Sequence, residues 1–262
     1  GMMSCDLNIS LMLERAEKFY PKKEIVSRFL GETHRLNYHQ LGKRIRSLSN
    51  ALQSLGVGKG DRVGTFGANH HRHLEAYFAI PGLGAVIHTI NIRLSAKHLI
   101  KMINHAEDKV LLVDEDLLPR IEKIKDQLPT VKAFIVMSNK KELPPTTLAP
   151  SYTYEALLEK GDPAFQLVKN LDENSPAGLC YTFSSLGELK GVIYTHRAIV
   201  LHSLVIGLGE TLALTEEDVC MPVVPMFHVN AWGLPYASTW FGAKQVLPGP
   251  HFTPEDLADL IA

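Results

Sequence analysis

The run Tyr181-Thr182-Phe183-Ser184-Ser185-Leu186-Gly187-Glu188-Leu189-Lys190-Gly191 is the stretch of this chain best suited to chemistry. Small hydroxyl residues and glycines let backbone N–H groups wrap an anion, and Lys190 adds a point charge beside them. Apolar residues flank the run, with Ala177, Leu179 and Cys180 before it and Val192, Ile193 and Tyr194 after it, so it reads as a turn at a strand end. Phe183, Leu186 and Leu189 intrude on that chemistry. The layout is that of a phosphate cradle with several gripping positions altered.

Other candidate chemistries are weaker. His70, His71, His73 and Glu75 invite a metal reading. On a helix, however, His71 and Glu75 share one face while His70 and His73 sit on an adjacent one, so the expectation is a solvated helix start and no metal site. Neither a G-x-S-x-G elbow nor a G-x-x-x-x-G-K-[ST] loop occurs, so neither a hydrolase-type nucleophile nor a P-loop NTPase is supported.

The elements that position the loop follow from periodicity. Residues 7–20 read as an amphipathic helix stopped by Pro21, 24–29 and 34–38 as paired strands, and Leu41, Ile45, Leu48, Leu52 and Leu55 as the stripe of a longer helix ended by glycines. Strand and helix then alternate: strands at 63–66, 86–90, 109–113 and 131–137, helices at 70–83, 95–106 and 117–128. Residues 140–147 form an exposed loop, 154–159 a short helix, 198–208 a buried helix, 219–224 a strand, 232–240 a helix and 245–247 a last strand. Thr253-Pro254-Glu255-Asp256 opens a final helix. This rhythm predicts an α/β fold with a mostly parallel sheet covered on both faces.

Composition bounds the classes. With 45% apolar and 21% charged residues the chain suits a globular protein, and a net charge of −1 with no basic block argues against nucleic acid as a partner. No apolar run approaches the ~20 residues of a membrane-spanning helix. Cys5, Cys180 and Cys220 are sparse and unpaired in pattern, which suits a reducing, cytoplasmic setting. No secretory leader is apparent, and Gly1 ahead of Met2 reads as a remnant of tag removal.

The order of segments resembles the adenylate-forming (AMP-binding) superfamily, and within it the medium- and long-chain fatty-acyl-CoA ligases. The residues that carry this are 48–52, the turn at 55–63, His71 to Pro81, Gly84 to Asn91, the loop at 181–191, and Pro225-Met226-Phe227-His228-Val229-Asn230-Ala231-Trp232-Gly233. The resemblance implies activation of a fatty acid with ATP and Mg²⁺ to an acyl-adenylate, followed by transfer to the thiol of CoA. It implies phosphate contacts from Thr182, Ser184, Ser185, Gly187 and Lys190, and an acyl pocket lined or gated by His228, Asn230 and Trp232.

Departures from the family pattern are specific. The family loop reads Tyr-Thr-Ser-Gly-Thr-Thr-Gly-x-Pro-Lys-Gly, and here Phe183 replaces Ser, Ser184 Gly, Ser185 Thr, Leu186 Thr and Leu189 Pro; Ile92 also stands where Pro is usual. Ser reaches the backbone conformations of Gly at a cost, Leu supplies no hydroxyl, and losing Pro loses a fixed φ. Removing one preorganised donor costs ~10²–10³ in rate, so strong adenylation is not expected. Nor are the family's later elements found, including the adenine-binding stretch with its metal-binding Glu and the domain carrying the catalytic Lys. The expectation is an N-terminal portion, inactive alone, with no catalytic residue of its own. Residues 61–215 would form one subdomain, and 1–60 with 216–262 part of a second, with exposed edges open to homodimerisation. Two alternatives are a non-catalytic acyl- or nucleotide-binding module, and half of a split ligase completed in trans.

Overall fold

A computed structural model describes residues 5–183 and 189–261. The chain opens with α1 (Ser10–Phe19), the antiparallel pair β1 (Glu24–Phe29) and β2 (Glu32–Asn37), and α2 (Tyr38–Ser54). α2 starts where the side chain of Asn37 accepts from Gln40 N–H and that of Gln40 accepts from Asn37 N–H, a reciprocal cap that satisfies two orphan donors. Leu41, Ile45, Leu48 and Leu52 are fully buried.

Then come β3 (Arg62–Phe66), α3 (His71–Gly82), β4 (Val86–Thr89), α4 (Ala96–Ala106), β5 (Asp108–Asp114), α5 (Leu118–Glu122), β6 (Ala133–Met137), β7 (Ser151–Thr153), α6 (Tyr154–Lys160), β8 (Pro176–Phe183) and β9 (Leu189–Thr195). These seven strands make one sheet, ordered β7-β6-β5-β3-β4-β8-β9, parallel throughout except for the final β8–β9 pair. After α7 (His196–Ile206), β10 (Val219–Cys220), α8 (Val229–Trp232) and α9 (Leu234–Phe241), β11 (Lys244–Leu247) enters a four-stranded sheet ordered β10-β11-β1-β2; α10 (Pro254–Ile261) follows. The expected α/β class, with a mostly parallel sheet, is what the chain forms.

One apolar core holds Ile25 and Leu247 from the small sheet, Leu41, Ile45 and Leu48 from α2, Leu74, Tyr77 and Phe78 from α3, and Val63, Ile87 and Leu112 from the large sheet. α2 and α3 therefore lie between the two sheets. A second core, with Leu99 and Met102 of α4 and Ile121 of α5, covers the opposite face of the large sheet.

That placement overturns the expectation of a solvated start to the third helix. Every residue of α3 is buried, including Arg72 at 1% and Glu75 at 0% exposure. Most of the polar groups survive there because they are paired. His70 Nδ1 accepts His73 N–H, which leaves its Nε2 to donate to Asp114 at 2.8 Å. Glu75 accepts from Arg44 Nε at 2.6 Å and from Tyr154 Oη at 2.6 Å, and Glu155 bridges Arg44 to Arg72.

Four other expectations change. The helix expected over 117–128 is only α5 flanked by 3₁₀ turns, because tertiary bonds capture its backbone and side chains. Asn104 Nδ2 donates to Gln127 O at 2.9 Å, and Glu122 accepts from Thr146 Oγ1 and Thr147 N. The strand expected over 219–224 stops at Cys220, since Asn69 Nδ2 donates to the carbonyls of Pro222 and Val224 at 2.8 and 2.9 Å and draws the chain away from the ladder. Beyond the loop expected over 140–147, Ser151–Thr153, assigned to no element, pairs with β6 as β7. The buried helix expected over 198–208 is α7, which buries Ile199, Val200 and Ile206 but leaves Leu201 and Val205 exposed.

Candidate acyl site beside the phosphate-loop hairpin

β8 and β9 form a hairpin in which Thr182 faces Lys190 and Phe183 faces Leu189. Thr182 and Lys190 are both exposed, so a hydroxyl and an ammonium flank the open end. Ser184, Ser185, Leu186 and Gly187 lie outside the described residues. Leu189 is half-buried and packs on the core beneath α4.

The hairpin is anchored through Tyr181. Its hydroxyl bonds His105 Nδ1 of α4 at 2.7 Å, and its ring lies edge-on to His88 with centroids 5.0 Å apart. His88 Nδ1 in turn bonds Asp108 Oδ2 at 2.7 Å, both side chains being fully buried. Burial pushes the Asp108 carboxyl up and the Tyr181 phenol up to about 12.

Next to the hairpin is a cavity of about 700 Å³. Its walls include Tyr194 of β9, Ile199 and Ile206 of α7, Trp232 of α8, and Leu234 and Tyr236 of α9. Tyr236 is held rigidly: its ring stacks on Tyr77 at 5.1 Å and its hydroxyl donates to Tyr77 O at 3.2 Å.

The lip of the cavity is an unusual backbone. Val229, Asn230, Ala231 and Trp232 have φ of 47°, 52°, 49° and 57°, and Gly233 follows at 73°. Four consecutive non-glycine residues wind left-handed, at roughly 1–2 kcal/mol each. Ala231 is fully buried, and Asn230 Oδ1 accepts at 3.5 Å from Thr89 Oγ1 and lies 3.6 Å from Cys180 Sγ. Gly233 is required twice over, since a Cβ would sit 2.7 Å from His202 Nδ1.

Of the residues expected around an acyl group, the structure brings Asn230 and Trp232 to this cavity, Asn230 buried and Trp232 65% exposed at its mouth. His228 is exposed and does not line it. Sequence reasoning missed Tyr194, His202 and the start of α9; apolar residues on both faces of α7 were the available signal. A second cavity, about 650 Å³, opens where β3 and β5 end and includes Asn69, Arg93, Asp114 and Arg120. Among the described residues no three His, Cys, Asp or Glu side chains gather as a metal site, and no helix is long and apolar enough to cross a membrane.

Known proteins resemble this chain in sequence and in fold. The chain is 52% identical over 260 residues to a long-chain-fatty-acid–CoA ligase of Thermus thermophilus, covering 99% of this chain and 46% of that protein. It is 42% identical over 262 residues to a medium-chain-fatty-acid–CoA ligase of Ectopseudomonas oleovorans, covering 100% and 48%. In fold it matches an anthranilate–CoA ligase solved with anthranoyl-AMP (TM-score 0.87, 22% identity, 99% of this chain and 48% of that one). It also matches a long-chain-fatty-acid–CoA ligase from Archaeoglobus fulgidus (TM-score 0.85, 20% identity, 100% and 50%). The chain thus spans about half the length of the relatives it matches. Residues 13–262 match the AMP-binding enzyme family, and the chain belongs to that family as an N-terminal part of its fatty-acid–CoA ligase branch.

Proposed function

We propose that this chain forms the acyl-binding part of a fatty-acid–CoA ligase and does not by itself carry out adenylation. The cavity beside the hairpin carries the reading: about 700 Å³, walled mainly by apolar and aromatic side chains, within the ~300–1,000 Å³ typical of small-molecule sites. Tyr194, Ile199, Ile206 and Leu234 would exclude water from an alkyl chain, with Trp232 over the mouth. Thr182 and Lys190 would face the carboxylate end of the site with hydroxyl and ammonium donors. ATP and Mg²⁺ would supply the leaving pyrophosphate and its charge neutralisation. Thr182 and Lys190 suit the triphosphate, whereas the described residues offer no ligand set for the metal. Replacement of family hydroxyl, Gly and Pro positions by Phe183, Ser184, Leu186 and Leu189 supports weak phosphate binding, and the three unpaired cysteines suit a reducing, cytoplasmic compartment. We read residues 61–215 as one subdomain and 1–60 with 216–262 as part of another, following the two sheets.

Fatty acids of 8 to 16 carbons, titrated against Trp232 fluorescence, test the reading. Affinity should rise about fourfold per methylene until the cavity is full, from ~0.8 kcal/mol per buried CH₂. With ATP, Mg²⁺ and CoA added, pyrophosphate release should stay at background. Absence of chain-length dependence, or sustained pyrophosphate release, would overturn it. The exposed Leu201, Val205, Leu208 and Leu212 favour a second reading, in which a separate polypeptide or a second copy covers this face. Light scattering showing a monomer with no apolar-dye binding would count against it.

A further inference from the structure

The small sheet carries a third, chemically different cavity, about 350 Å³, on the side of β2 and α2. It is lined by His34, Arg35, Gln40, Lys43, Arg44 and His71, together with Leu36. None of these belongs to the acyl cavity or the hairpin. We propose that this cavity binds a tetrahedral phosphate dianion, free or carried on a small metabolite.

Ser27 Oγ is fully buried and accepts His71 N–H at 2.9 Å, and among the described residues its own proton has one partner, His71 Nδ1 at 3.0 Å. His71 Nε2 therefore carries the ring proton. The residue is 3% exposed and lines the cavity, and among the described residues its Nε2 has no hydrogen-bond partner. A buried donor thus reaches the cavity unspent. Gln40 gives its Oε1 to the cap of α2, so its amide N–H groups remain. Arg44 commits four of its five N–H groups to Glu75 and Glu155, leaving one.

The surrounding cations are only partly neutralised. Arg35 bonds Glu24 through Nη1 alone, and Lys43 has no ion pair among the described residues. His34 donates Nε2–H to Asn139 Oδ1 at 2.9 Å, and Glu32 lies 3.8 Å from it. Burial first, and then the charges of Arg72, Arg44, His70 and His34, hold the His71 imidazole well below its ordinary pKa, so it stays neutral with its proton on Nε2. A wall of donors with little acceptor capacity matches a group rich in acceptor oxygens, as phosphate is.

The test uses the full chain labelled with ¹⁵N-histidine, following ring N–H signals while inorganic phosphate or glycerol phosphate is added at constant ionic strength. The His71 and His34 signals should shift and saturate, and chloride should leave them unmoved. Stronger binding of glycerol phosphate would identify a phosphorylated metabolite as the source, and equal or weaker binding free phosphate. Because substituting buried His71 risks unfolding, exposed Lys43→Met and Arg35→Met carry the perturbation. Each should weaken binding by about tenfold or more, while Lys190→Met at the hairpin should have no effect. No saturable His71 shift, an equal shift with chloride, or unchanged affinity in Lys43→Met would overturn the proposal.

Discussion

Glu75 offers the sharpest test of the buried polar layer between the sheets. Its carboxylate is fully buried and accepts from Arg44 Nε at 2.6 Å, Arg44 Nη2 at 3.2 Å and Tyr154 Oη at 2.6 Å. Glu75→Leu removes all three bonds. Breaking a buried pair from one side costs about 3–5 kcal/mol. Arg44 keeps Glu155 and retains 28% side-chain exposure, which places its share at the lower end. The Tyr154 hydroxyl is left with only Arg72 O at 3.4 Å, adding about 1 kcal/mol. The expected loss is about 4 kcal/mol, a fall of about 2 M in urea midpoint at a slope of ~2 kcal/mol/M. Arg44→Met combined with Glu75→Leu should recover a large part of it, because no lone charge is then stranded. A cost below about 1 kcal/mol for Glu75→Leu would refute the reasoning, since it would mean the carboxylate is effectively in water.

Three further outcomes follow from the buried histidines, one crowded glycine and the left-handed turn. His71, His73 and His196 are held neutral by burial, with His73 and His196 lowered to about 4 from 6.5. Both states are neutral above pH 6.5; below it the unfolded chain binds protons first, so stability falls from pH 6.5 towards 4, by up to ~1.4 kcal/mol per unit for each residue. A urea midpoint constant between pH 8 and pH 5 would contradict this. Gly161→Ala places a Cβ 2.2 Å from Ser47 O, backbone that cannot swing away, and should cost about 2–3 kcal/mol in thermal unfolding; Gly58→Ala, with nothing within 4 Å, should be near neutral. Val229→Gly relieves a β-branched residue at φ 47° and should stabilise by about 0.5–1 kcal/mol after the glycine entropy cost. A loss of stability in that variant would show that Val229 contacts outweigh its backbone strain.

Much of the fold is legible because its signals are local. Leu41 to Leu52 set the buried stripe of α2, and the short apolar strands around 63–66 and 109–113 are where they were expected. The misreadings share a cause, the capture of a segment by distant groups. His70 to Glu75 read as solvated because polar residues crowd one helix turn, and only the sandwich of α3 between two sheets buries them. Asn69 redirects the chain after Cys220 from about 150 positions away. The left-handed turn has no glycine before Gly233 to signal it, and Asn230 is the one residue there with any preference for that conformation. At the candidate site the aromatic and amide residues of the acyl motif were visible in sequence, while the opposite wall from β9 and α7 was not.

The strand order of the small sheet bears on how the molecule assembles. β1 pairs with β2 at once, but its other neighbour is β11, with Ile25 beside Gln245 and Ser27 beside Leu247. During synthesis the β1–β2 hairpin must wait for residues 244–247, more than 200 positions later, before its second edge is closed, whereas β3 to β6 can pair as they emerge. Such long-range parallel closure is slow, and the open edge of β1 is a site for mispairing in the interval. The tendency of the nascent chain to mispair should therefore end with the arrival of residues 244–247.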